Sequence, residues 1–218
     1  MTPNQAYYDD NYLSLLPADR RAAILDLGCG QGDFARYLSD RGYRHVTAID
    51  SDEDCVGRLA GAPGVTAKVS LVDPSRIERR RGGWPLIVAK QVIYYFDRRE
   101  APDLVTSLRH ALAPDGRLIV EIFNGALLNS RFTELKDPGI LTAYTEHGLR
   151  RLLEQNGLVV EQLFGAKLRF RGLRGFVYAI AQSLWFRFYR LLLVIERGRD
   201  NELPRISSKT IIAVARRP

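Results

Sequence analysis

Short apolar runs alternate with amphipathic stretches over the first 165 residues of the chain. The runs at 22–27, 45–49, 66–72, 85–90, 117–123 and 158–164 have the length and composition of buried strands. The stretches between them, at 33–41, 53–60, 98–112 and 146–156, repeat apolar residues at helical spacing. Strand alternating with helix predicts an α/β domain: right-handed crossovers and a mostly parallel sheet with helices on both faces. Pro114-Asp115-Gly116 marks a turn ahead of the fifth strand. After Gly165 the pattern changes to a basic stretch, a long apolar helix over 172–197 and a seventh strand at 209–215. That strand has nowhere else to pair, so 1–218 reads as a single domain. Within it, 166–207 is a basic amphipathic helical insertion and 1–21 is a leading segment whose Tyr7, Tyr8 and Tyr12 are placed to form a lid.

Composition changes this picture little. At 46% hydrophobic and 26% charged, the chain is an ordinary globular one. Its longest apolar run, 176–181, falls far short of the ~20 residues of a membrane-spanning helix. Residues 1–12 lack the basic and apolar regions of a secretory signal, so a cytoplasmic protein is expected. Cys29 and Cys55 are too few for a disulfide framework or a structural zinc site, and no metal is expected.

Charge changes it more. The net charge is +7, yet residues 167–199 hold eight Lys and Arg against Glu196 alone, and the other positions are balanced. A nucleic-acid-coating surface is therefore not expected. In the 172–197 helix, Val177, Ala181, Leu184, Trp185, Phe188, Leu192 and Ile195 share one face, with Ser183, Arg187, Arg190 and Arg197 opposite. Phe186, Tyr189 and Leu193 widen the apolar arc, leaving lipid, a second subunit, a greasy substrate or the sheet edge as its partner.

The densest chemical signal is Asp26-Leu27-Gly28-Cys29-Gly30-Gln31-Gly32-Asp33, an apolar strand entering a glycine-rich turn and then a helix. Glycines there admit a ligand close to the backbone, and the helix start offers free N–H groups. Asp50 ends the second strand, where a carboxylate accepts from both hydroxyls of a ribose, and Asp73 follows the third, within reach of an adenine edge. Dinucleotide enzymes share this geometry, but their G-x-G-x-x-G turn cradles a pyrophosphate. Here the third glycine comes one residue early, and Asp26, entering the loop, suits an ammonium better than a phosphate.

These residues resemble the first motif of the class I S-adenosylmethionine-dependent methyltransferases, which implies a Rossmann-like seven-stranded sheet and S-adenosyl-L-methionine as cofactor. The resemblance continues through Gln91-Val92-Ile93-Tyr94-Tyr95-Phe96 after the fourth strand and Ala113-Pro114-Asp115-Gly116 before the fifth. More narrowly, Val120-Glu121-Ile122-Phe123-Asn124-Gly125, Asp137-Pro138-Gly139-Ile140, Tyr144-Thr145 and Ala213-Val214-Ala215-Arg216-Arg217-Pro218 are similar to stretches in methyltransferases of bacterial surface-polysaccharide biosynthesis. The implied cofactor set is Asp26, Gly28, Cys29, Gly30, Gly32, Asp50, Ser51, Asp73, Pro74, Lys90 and Gln91.

Tyr95 and Ile140 stand where relatives often carry histidines, so the candidates for catalysis are Glu121, Asn124, His147 and Tyr94. Each has a plainer reading: Glu121 as partner of a backbone donor, His147 as a residue of a helix start, Tyr94 as packing. The implied reaction is methyl transfer to a hydroxyl of a sugar or glycan intermediate on a lipid or nucleotide-diphosphate handle, at the inner membrane surface. A small-molecule or lipid-quinone O-methyltransferase, an inactive cofactor-binding scaffold subunit and, less compatible with the glycine spacing, an NAD-linked oxidoreductase are the alternatives. A homodimer is also open.

Overall fold

Strands that are apolar on both faces need cover on both sides, and the sheet receives it. The computed structural model describes residues 3–77, 79–128, 130–167, 172–198 and 202–218. Its strands are β1 (Ile24–Leu27), β2 (Val46–Asp50), β3 (Val65–Val69), β4 (Trp84–Lys90), β5 (Leu112–Phe123), β6 (Val159–Gly165) and β7 (Thr210–Arg216), in the sheet order β3-β2-β1-β4-β5-β7-β6. The pairs among β1 to β5 are parallel, whereas β7 runs antiparallel to both β5 and β6. The expected mostly parallel seven-stranded sheet is thus present, with the long helix ahead of its last strand.

One face packs against α4 (Glu100–Ala111) and α6 (Glu146–Gln155), where Leu104, Leu108, Leu149 and Leu153 meet Ile87 and Val120. On the other, α1 (Pro3–Asn11), the Tyr12 that follows it and α2 (Asp33–Asp40) bring Tyr8, Tyr12, Phe34 and Leu38 against Ile24, Val88 and Ile119. The short α3 (Glu53–Gly57) follows β2 and is capped by Asp52, whose side chain accepts from Asp54 N and Cys55 N.

Local differences from the sequence pattern have local causes. β3 leaves its ladder at Val69, not at residue 72, so Leu71 is largely exposed. β5 begins at Leu112, which pairs with Trp84 before the register shifts; Asp115, at φ 58°, forms the irregularity where a turn was expected. α1 and α5 (Ser130–Lys136) have no apolar stripe to announce them, and α5 buries no side chain.

The last helix, α7 (Gly172–Arg197), is the anomaly. Leu173, Phe176, Val177, Leu184, Trp185, Phe188, Leu191 and Ile195 are each half or more exposed. Its Tyr189 hydroxyl donates to the Ala126 carbonyl at 2.8 Å. Among the described residues no helix is long and apolar enough to cross a membrane. Arg169, Arg171 and Arg199, part of the expected basic stretch, lie outside the described residues.

Candidate active site

The glycine turn folds back over the end of β2, with Gly28 N and Cys29 N both donating to the Ile49 carbonyl, at 2.8 and 3.0 Å. Gly28 has φ 68°, and a Cβ there would lie 2.3 Å from Val92 Cγ2, so neither backbone nor packing admits a side chain. At Gly30 a Cβ would meet no atom within 4 Å, which leaves that face of the loop to a ligand. Gly30 N donates to Asp50 Oδ2 at 2.7 Å, and Asp52 N donates to Asp50 Oδ1 at 3.1 Å, tying loop and strand end together.

Above the carboxyl ends of β1, β2 and β4 lies a cavity of about 730 Å³. Gly28, Cys29, Gly30, Asp50, Ser51, Lys90, Gln91 and Tyr94, all singled out in the sequence, are brought together in its lining. Asp26 sits beneath, 1% exposed, and its Oδ2 has no hydrogen-bond partner among the described residues. Burial pushes its carboxyl up to about 7, against the pull of Lys90 and with a push from Asp50. An orphaned buried carboxylate under a loop rimmed by Asp33, Asp50 and Asp52, with Lys90 the one basic residue of the lining among the described residues, is a poor cradle for a pyrophosphate. It fits a cationic ligand bearing an ammonium, which is what S-adenosylmethionine presents.

That fit carries a pH dependence. Only the ionised Asp26 pairs with an ammonium, so affinity for S-adenosylmethionine should rise as pH passes about 7, being roughly tenfold weaker at pH 6 than at pH 8. Linkage in the free protein has the opposite sign. The carboxyl holds its proton more tightly folded than unfolded, so stability is lost as pH rises from 3.8 towards about 7. Calorimetric titrations at several pH values check both; a pH-independent affinity would separate Asp26 from the ligand.

Other expected residues are placed differently. Asp73 and Pro74 open a tight turn: Asp73 Oδ1 accepts from Ser75 N at 2.8 Å and Ser75 Oγ at 2.7 Å, while Leu71 and Val72 take the place on the cavity wall. Gly32 caps α2 in a left-handed conformation. His147 stands on the first turn of α6, its Nε2 3.5 Å from Glu146 Oε1, and is not part of the lining. Asn124 is buried, and its amide is fully used by backbone: Nδ2 donates to the Ile206 and Ser208 carbonyls at 2.9 and 3.0 Å, and Oδ1 accepts from Ala126 N at 3.0 Å.

Glu121 lies behind the cavity wall, 4% exposed. Its Oε2 accepts from Tyr7 at 2.8 Å and from the Tyr12 hydroxyl, and its Oε1 accepts from Gln91 Nε2 at 2.9 Å. Burial first, and then this carboxylate, push both phenols above their usual range and keep them protonated donors. Gln91, strained at φ 61° one residue past the end of β4, in turn accepts from the Tyr94 hydroxyl at 2.9 Å. The result is one hydrogen-bonded chain from the cavity wall to α1. A carboxylate with three donors in place is not poised to take a proton from a substrate.

Aromatic residues complete the lining. Tyr8 closes the α1 side, 5.1 Å ring to ring from Phe34, while Tyr94 and Tyr95 stand 4.8 Å apart at the opposite rim with Phe96 beside them. Tyr95, where relatives often have histidine, donates to Asp137 Oδ2 at 2.8 Å. The cluster of tyrosines on the leading segment was the signal for Tyr8; nothing in the sequence marks Asp137 as the partner of Tyr95.

The profile of the methyltransferase-domain family matches residues 3–163. No curated protein sequence is significantly similar to the chain. Among solved structures, it is similar to a SAM-dependent methyltransferase from Archaeoglobus fulgidus, with a TM-score of 0.65 and 15% identity over 98% of this chain and 92% of that one. A magnesium protoporphyrin IX methyltransferase from Synechocystis, with bound SAH, gives 0.62 at 17% identity over 99% and 83%. A TehB-like SAM-dependent methyltransferase from Corynebacterium glutamicum gives 0.61 at 19% identity over 100% and 89%. At these identities the structures speak for the fold, and the family is carried by a profile that spans most of the sequence, glycine loop included: the chain belongs to the methyltransferase-domain family and is an S-adenosylmethionine-dependent methyltransferase.

Proposed function

We propose that the enzyme methylates a hydroxyl of a sugar or glycan intermediate carried on a lipid handle, working against the cytoplasmic face of a membrane. The observation that carries this reading is the position of α7, a basic helix with its apolar side chains exposed, whose Tyr189 is tied to Ala126 three residues past the end of β5. A soluble acceptor gives no reason for that surface. The paired rings of Tyr94 and Tyr95 at the cavity rim suit a polyhydroxylated ring, presenting flat apolar faces beside hydroxyl groups. S-adenosylmethionine supplies an electrophilic methyl on a sulfonium. Asp26 would hold its ammonium and Asp50 its ribose, with Cys29, Ser51, Lys90 and Gln91 around them. Tyr8, Tyr94 and Tyr95 exclude water and hold the acceptor in line.

Among the described residues the lining contains no imidazole, so alignment rather than a dedicated histidine base supplies most of the acceleration. His147→Ala is expected to keep methyl transfer within about tenfold of the parent enzyme, measured with labelled S-adenosylmethionine and lipid-linked sugar acceptors. A fall of ~10³-fold, the scale of a general base, would restore histidine catalysis. A lipid quinone would use the same exposed helix, and turnover of quinols but not glycolipids would favour that second reading.

Membrane contact is a separate expectation. Basic residues near an anionic leaflet contribute about 1 kcal/mol each, so Arg174, Arg187 and Arg190 together would hold the enzyme reversibly. It should float with anionic vesicles at low salt and be released as salt rises; a protein that stays in solution at low salt would overturn the contact.

A further inference from the structure

Beside the cofactor cavity, on the same edge of the sheet, is a second cleft of about 360 Å³ between α7 and the segments that follow β5 and precede β7. Leu127, Leu128, Tyr178, Trp185 and Phe186 line it, together with Gln182, Ser207 and Lys209. Asn124 braces the segments that carry it: its side-chain amide donates to the Ile206 and Ser208 carbonyls, on either side of Ser207, and accepts from Ala126 N, next to Leu127. Lys209 is tied to the same point, its carbonyl accepting from Asn124 N at 2.8 Å, and Tyr189 joins α7 to Ala126. Phe123, next to Asn124, packs 5.1 Å ring to ring from Tyr94 of the cofactor cavity.

We infer that this cleft binds the hydrocarbon chain of an anionic amphiphile, with the anionic head at Lys209, and that this amphiphile is the methyl acceptor. The inference rests on the reading above and names the part of the acceptor that the cofactor cavity does not hold. Charge selects the occupant. Among the described residues the lining has no acidic one, and the 167–199 segment carries eight basic residues against Glu196. A second copy of the chain would bring an equally basic helix against this one and be repelled, whereas a lipid phosphate is attracted. A lining of leucines and aromatic rings that includes a lysine matches a hydrocarbon chain with a phosphate at its head. Asn124 is then a positioning residue for the acceptor site and not a catalytic one.

The experiment uses alkyl phosphates below their micelle concentrations and the fluorescence of Trp185. The other tryptophan, Trp84, is buried at the start of β4, at the opposite edge of the sheet, and Trp185→Phe confirms the source of the signal. Dodecyl phosphate should give a saturable blue shift, and inorganic phosphate none. Octyl phosphate should bind at least tenfold more weakly, since each buried methylene is worth about fourfold in affinity. Lys209→Glu should weaken dodecyl phosphate at least tenfold, and Ala181→Trp, which fills the cleft, should abolish binding. Equal binding of the two chain lengths, or binding unchanged in both variants, would overturn the inference. S-adenosylmethionine affinity, titrated on the same samples, is the control for folding and for the wider reading. Cofactor binding without amphiphile binding defeats the cleft alone; amphiphile binding without cofactor binding defeats the methyltransferase site and leaves the cleft standing.

Discussion

Glu121→Ala is expected to cost about 3–5 kcal/mol of stability and to loosen the leading helix from the cofactor cavity. The substitution leaves the Tyr7 and Tyr12 hydroxyls and the Gln91 amide without their shared acceptor, in a region where each unmet group costs about 1–3 kcal/mol. Because Tyr8 of the same helix lines the cavity, affinity for S-adenosylmethionine should fall with stability, and α1 should be cut sooner by protease. Glu121→Gln separates a latch from a base. An amide still accepts from the tyrosines, so a latch keeps much of its stability and turnover. If instead Glu121→Gln unfolds like the parent yet loses ~10³-fold in turnover, the carboxylate is taking a proton and the latch reading fails.

Asp50→Ala should weaken S-adenosylmethionine binding tenfold to a hundredfold, the range for losing hydrogen bonds to a charged group at about 1.5–3 kcal/mol. The loss has two parts here. One is the ribose contact; the other is the acceptor that holds Gly30 N at 2.7 Å and so shapes the loop itself. Asp50→Asn should keep part of the second and little of the first, placing its affinity between the two. Calorimetry that finds Asp50→Ala binding as tightly as the parent would remove Asp50 from the site.

The elements that can be read from the sequence are those whose signal is local. β1, the glycine turn and α2 follow one another within twenty residues, and periodicity and turn chemistry announce each of them. The role of Glu121 could not be read that way, because its two tyrosines lie 114 and 109 positions earlier. Asn124 is similar, with carbonyl partners 82 and 84 positions later that meet it only because β7 inserts beside β5. Asp73 is the opposite case. Asp-Pro-Ser carries the signature of a capped turn, with proline at the first position, and that local use of the carboxylate competes with any reach towards an adenine. The long helix was legible as a helix, while its exposure depends on how few neighbours the fold offers it.

The strand order also sets a timetable for synthesis. β6 has no partner in the sheet other than β7, and the whole of α7 is made between them. At the usual ~5–20 residues per second, the stretch from Gly165 to Thr210 takes the ribosome a few seconds. Through that interval the β5 edge is open and β6 is unpaired, so the nascent chain shows two strand edges and an apolar helix together. The basic helix therefore leaves the ribosome before the sheet that anchors it can close, and the first surface it meets, whether bilayer or chaperone, is met by a half-built enzyme.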